Sequence, residues 1–239
     1  MDRTLALGLA IALVGGLVRG TTGFGAAMIM TPALALLMGP QVAVPVALLL
    51  ETFAAATMLP AAATLARWRV IAPIGAAAIC TVPLGGLLLK GADPGVLRRL
   101  IAVTVIVFSV ALLIGKRFRG RHRLRTSIGL GALSGTMLGA TSIGGPPVIL
   151  YLLSGPDPVA VTRANLTLYI VLVSAAGLVM LGFAGLLDAI ALRTAAALTI
   201  PFVVGVVAGS RLFARFSDQR FRQLTIVFMF LISLGVLLA

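Results

Sequence analysis

The chain carries little charge, and almost none of it is acidic. Of 239 residues, 10% are charged, six are Asp or Glu, one is His and one is Cys. A soluble domain is about one quarter charged, so a water-facing globular fold is excluded. With Cys80 as the single cysteine, no disulfide can form within the chain and the redox compartment stays unread. The apolar runs contain no His pair, no Cys–His pair and no carboxylate dyad. That excludes the usual constellations for acid–base or nucleophilic catalysis. No catalytic residue, metal ligand or cofactor is expected.

What is abundant is apolar. Hydrophobic residues make up 60% of the chain and mean hydropathy is +1.16. Apolar segments occupy roughly residues 5–38, 41–64, 71–90, 97–115, 126–154, 158–183, 190–209 and 223–239. A membrane-spanning helix needs about 20 apolar residues, so the fold class is an all-α polytopic membrane protein embedded in the bilayer. The first stretch runs on without a polar cleavage region, and no cleavable signal peptide is expected. A net charge of +13 invites a nucleic-acid role, but six of the 19 basic residues fall in KRFRGRHRLR, residues 116–125, and most others in short loops. This is the positive-inside pattern with the central loop cytoplasmic, not a nucleic-acid surface. His122 in that loop reads as solvated, and Trp68, between Arg67 and Arg69, as an interfacial anchor.

The chain reads as a duplication. LLMGP-x-VAV at 36–44 recurs as LLSGP-x-PVAV at 152–161, Val82-Pro83 matches Ile200-Pro201, and LRRL at 97–100 resembles FRQL at 221–224. The order is kept at offsets near half the length. The expected organisation is a first membrane repeat at 1–115, a basic cytoplasmic linker at 116–125, and a second repeat at 126–239.

Two breaks carry the most information. GTTGFGAAMIMTP at 20–32 and GATSIGGPPVILY at 139–151 interrupt long apolar runs with residues that unwind helices. Unwound backbone cannot face lipid, because its N–H and C=O groups would go unpaired, so it must line a cavity. Matching breaks in two halves point to a transporter's binding site. Residues 5–38 as one helix would measure about 51 Å against a hydrocarbon core of about 30 Å. The segment is therefore strongly tilted, or it folds back at Gly20–Gly25. Unbroken segments would divide Lys and Arg ten inside to eight outside; hairpins in both halves give thirteen to five, leaving out Arg19. The bias favours hairpins, each followed by three spanning helices, an odd number of crossings per half, and hence inverted repeats.

Helices restarting near Gly25 and Gly144 would aim unpaired N–H groups and positive dipole ends at a small anion. The candidate binding residues are Arg19, Gly20, Thr21, Thr22, Gly23, Phe24 and Gly25 in the first break, with Thr141, Ser142, Ile143, Gly144 and Gly145 in the second. The glycines would admit close approach, the hydroxyls would donate, and the Arg19 guanidinium suits an oxyanion. Arg19 would alternatively snorkel or neutralise Glu51. Glu51 is the one acidic residue in the middle of an apolar segment, which makes it the candidate for proton coupling or for a static pair with Arg19. Asn165 and Tyr169 read as helix–helix hydrogen bonders, and Gly8, Gly15, Gly129 and Gly135 as small residues for helix packing.

GTTGFGAAMIMTPAL at 20–34 and GATSIGGPPVILYLL at 139–153, each opening one half, resemble the TauE/SafE sulfite-exporter family. The resemblance covers essentially the whole chain: Gly23, Gly25 and Pro32 match the glycine-cluster-then-proline motif in the first half, as do Gly144, Gly145, Pro146 and Pro147 in the second. Ala26-Ala27 departs from it where many members continue with glycine. The resemblance implies a multi-pass protein of the cytoplasmic membrane that moves sulfite or an organosulfur anion, coupled to protons. An anion channel or a carrier for small carboxylates is the alternative.

Overall fold

The computed structural model describes residues 3–114, 123–152 and 157–213, together with 230 and 233–235. The terminal residues 1–2 and 236–239, and 115–122 of the basic linker with His122, lie outside the described residues, as does FRQL at 221–224. The described residues are helical and contain no strand, as the composition requires. The helices are α1 (Arg3–Thr22), α2 (Ala26–Met38), α3 (Pro40–Leu65), α4 (Trp68–Gly91), α5 (Pro94–Ile114), α6 (Leu124–Thr141), α7 (Gly145–Leu152), α8 (Val159–Phe183) and α9 (Ala189–Phe213). Six of them, α1, α3, α4, α5, α8 and α9, are long and apolar enough to cross a membrane. The protein is an all-α polytopic membrane protein.

Both breaks fall where the glycine clusters lie. Segment 5–38 divides into α1 and α2, and segment 126–154 into α6 and α7. The chain folds back at each. A Cβ placed on Gly15 of α1 would sit 2.4 Å from Met30 Cγ of α2, so α2 runs beside α1. In the second half the Tyr151 hydroxyl near the end of α7 lies 2.8 Å from Ser127 Oγ in the first turn of α6. The limbs are unequal in length. α1 has 20 residues and α6 has 18, against 13 for α2 and 8 for α7. No proline interrupts the chain between Arg3 and Gly20, so the first limb grows to full length before it turns.

The packing crosses between the halves. α1 lies against α9, and α6 against α4, with backbones in near contact. A Cβ on Gly16 or Gly20 of α1 would lie 2.1 Å from the carbonyl oxygens of Phe202 and Val206 in α9. On α6, Cβ atoms at Gly131, Gly135 and Gly139 would lie 2.3, 2.1 and 2.3 Å from those of Ile74, Ala78 and Val82 in α4. In lipid, where apolar contact between helices brings no solvent-release gain, such close packing along small residues is what holds helices together. α3 and α8 pack on each other between these two pairs and carry much of the core, including Leu48, Leu50, Tyr169 and Val173.

Two polar contacts fix the ends. Arg98 of α5 donates from Nε to the Ala35 carbonyl at 3.1 Å, a second donor beside the Gly39 N–H at the C-terminal end of α2, where a cation also suits the dipole. The fully buried Asn165 of α8 accepts from the Arg67 N–H at 2.7 Å, pinning the α3–α4 joint to α8. Asn165→Ala should lower stability by about 1–2 kcal/mol, read by thermal unfolding in detergent; an unchanged transition would mean the joint holds without it.

Candidate functional site

A pocket lies between the two breaks. Phe24, Gly25, Ala27 and Met28 line it from the first, and Ser142, Ile143, Gly145, Pro146 and Ile149 from the second, with Leu138 of α6 beside them. Glu51 of α3 and Tyr169, Ile170 and Ser174 of α8 complete it. The space open to water centres is about 40 Å³, against roughly 10–15 Å³ for one water. The lining is largely apolar with few polar groups, as small-ligand sites are.

Local backbone geometry builds each wall. Gly23 and Gly25 take φ of 80° and 88°, left-handed values that turn the chain sharply between α1 and α2. The hydroxyls of this break are engaged locally: Thr21 donates to the carbonyls of Leu17 and Val18, and Thr22 to that of Val18. Phe24 N–H donates to Thr22 Oγ1 at 3.3 Å. In the second break Ser142 holds φ 58°, and Thr141 Oγ1 bonds the Met137 carbonyl while accepting from Ile143 N–H at 3.2 Å. Ser142 Oγ meets Thr31 Oγ1 of α2 at 2.7 Å, joining the two breaks. Tyr169 donates to Ser134 Oγ at 2.6 Å, and Ser134 in turn bonds the Gly144 carbonyl.

The charge sits on the first-half side. Arg19 Nη1 lies 3.1 Å from Glu51 Oε2, with their side chains 2% and 9% exposed. The other carboxylate oxygen, Glu51 Oε1, accepts from Ala27 N–H in the first turn of α2 at 3.0 Å. The positive end of α2 is thus already met by a carboxylate, which satisfies one of its free amides and the dipole together. Arg19 stands behind Glu51 and does not itself line the pocket; its Nε has no hydrogen-bond partner among the described residues. The α7 end differs. Its first turn holds Pro146 and Pro147, which have no N–H, so two of the donors expected there do not exist.

The structure therefore gathers only some of the sequence candidates at the pocket: Phe24, Gly25, Glu51, Ser142, Ile143 and Gly145. Gly20 packs on α9, and Gly144 faces α6, where a Cβ would lie 2.6 Å from Leu138 Cβ and 2.6 Å from the Ser134 carbonyl oxygen. Thr21, Thr22, Gly23 and Thr141 shape the turns. Ser174, Thr31 and Ser134 were not singled out by sequence. Ser174 and Ser134 sit in apolar helices with no neighbouring motif, and Thr31 lies at the end of the first break motif, where only the tertiary packing shows its contact with Ser142. Tyr169 does bond between helices, as its position suggested, and it also faces the pocket.

No curated protein and no solved structure matches the chain. The family described as Sulfite exporter TauE/SafE matches residues 8–236. With nearly the whole chain covered, this multi-pass membrane protein belongs to the TauE/SafE sulfite-exporter family of transporters.

Proposed function

We propose that the chain is a secondary carrier that moves a small anion, sulfite or a sulfonate, across the cytoplasmic membrane in a proton-coupled cycle. The observation that carries this reading is the pocket bounded by both breaks, with one buried cation–carboxylate pair at its edge. An intramembrane pair of this kind is a functional feature by default. Glu51 is the group that takes the coupled proton. The two halves are inverted repeats about an axis in the membrane plane, with the basic linker cytoplasmic and both termini outside.

The test is uptake into proteoliposomes with sulfite, methanesulfonate and acetate, with and without an imposed pH gradient. Saturable flux that responds to the gradient supports a carrier; unsaturable flux indifferent to pH would point to a channel. Acetate belongs in the panel for a specific reason: the site already holds a carboxylate, that of Glu51. Preference for acetate over both sulfur anions would favour a carboxylate carrier. Orientation has its own check. Single cysteines at positions 2 and 239, in a Cys80→Ser background, should react with an impermeant reagent from outside. Reaction only from the cytoplasmic face would replace inverted repeats with parallel ones.

A further inference from the structure

Glu51 holds the groups an anionic cargo would need. Its two oxygens bridge Arg19 and the Ala27 N–H at 3.1 and 3.0 Å. Both partners are buried, and Arg19 retains an unpaired Nε beside them. The geometry points to Glu51 as a tethered competitor of the cargo: its carboxylate occupies the anion position until a proton neutralises it and a free anion takes its two partners. This rests on the anion-carrier reading above.

Charge conservation favours the exchange. In a low-dielectric site, net charge is costly and paired charge is tolerated. Arg19 with ionised Glu51 sums to zero, and so does Arg19 with protonated Glu51 and a bound monovalent anion. Proton and anion thus enter together. The proton goes to a Glu51 oxygen, no bond other than that O–H forms, and the freed Arg19 and Ala27 N–H turn to the cargo. The shape follows too: two oxygens on one atom, spaced as in a carboxylate, which a sulfonate or sulfite presents and a halide does not. Among the described residues, the ionisable groups at Glu51 are Arg19 on α1 and Tyr169 across the pocket on α8. Arg98 and Arg99 of α5, Arg163 of α8 and Arg193 of α9 lie in the second turns of their helices, and Arg211 in the last turn of α9.

Methanesulfonate is the probe, because it stays ionised across the working pH range and any proton taken up belongs to the protein. Its binding to purified full-length protein is followed by calorimetry at pH 8 in buffers of different ionisation enthalpy. The wild type should take up about one proton per anion, and Glu51→Gln should bind about tenfold tighter or more with no proton uptake, its affinity flat with pH. Glu51→Ala, if it folds, should bind likewise and release methanesulfonate to acetate. Weaker binding in Glu51→Gln overturns the proposal, since Glu51 would then be part of the binding frame. Equal binding without proton uptake in either protein overturns it also. If neither protein binds or transports any anion of the panel, the carrier reading itself fails and takes this inference with it.

Discussion

Arg19→Gln should weaken anion binding by roughly 10- to 100-fold, the worth of a charge-assisted hydrogen bond, and should also destabilise the protein. Arg19 is 3% exposed, and its guanidinium is the cation that meets the Glu51 carboxylate. Removing it leaves that carboxylate buried with the Ala27 N–H alone. Breaking a buried pair from one side costs about 3–5 kcal/mol. The double variant Arg19→Gln/Glu51→Gln separates the two losses. It should recover stability, because no uncompensated charge remains, and it should not recover anion binding. Arg19→Lys should retain part of the affinity, a point charge standing where a fork was. Titration calorimetry and thermal unfolding on the same four proteins decide the matter. Wild-type affinity in Arg19→Gln would mean that the α2 amides hold the anion unaided.

Gly135→Ala and Gly129→Ala should differ sharply although both sit on α6. A Cβ at Gly135 meets the Ala78 carbonyl oxygen at 2.1 Å and Thr81 Oγ1 at 2.5 Å, and the first is backbone that cannot rotate away. α4 and α6 must separate along their shared face, at a cost of about 1–3 kcal/mol for ordinary overpacking and more where backbone is struck. At Gly129 nothing lies within 4 Å of the added atom, and Ala is the better helix former by up to about 1 kcal/mol. Gly129→Ala should therefore be neutral or slightly stabilising. Chemical unfolding of both in the same detergent is the measurement. Equal transitions would mean that the α4–α6 backbone contact is looser than the distances indicate.

Those two glycines also show where the sequence stops being informative. Both were read as packing residues, along with Gly8 and Gly15, on spacing alone. Gly15 and Gly135 meet neighbours at under 3 Å, Gly8 has only Leu198 at 3.5 Å, and Gly129 has open space. Spacing tells that a small residue is tolerated, but which face meets a helix depends on a partner on another helix, Met30 of α2 for Gly15 and Ala78 of α4 for Gly135. The breaks were legible because their chemistry is local: Gly takes the positive φ that turns the chain, and paired prolines without N–H fit only the first turn of a new helix. Arg19 and Glu51 were legible as a pair for an equally simple reason, since two opposite charges in apolar runs have few other partners. The Ala27 N–H was not. Its role comes from α2 turning back and aiming its first turn at α3, and nothing in Ala26-Ala27 announces that. Ser134 was hidden in the same way, in a helix whose serines and glycines look alike until Tyr169 reaches across from α8.

The crossed packing has a consequence for how such a chain can be assembled. The first helix of each half finds its close partner in the other half, α1 on α9 and α6 on α4. A cut in the linker between α5 and α6 would therefore part each of these helices from its close partner, and leave the glycine faces of α1 and α6 with nothing packed against them.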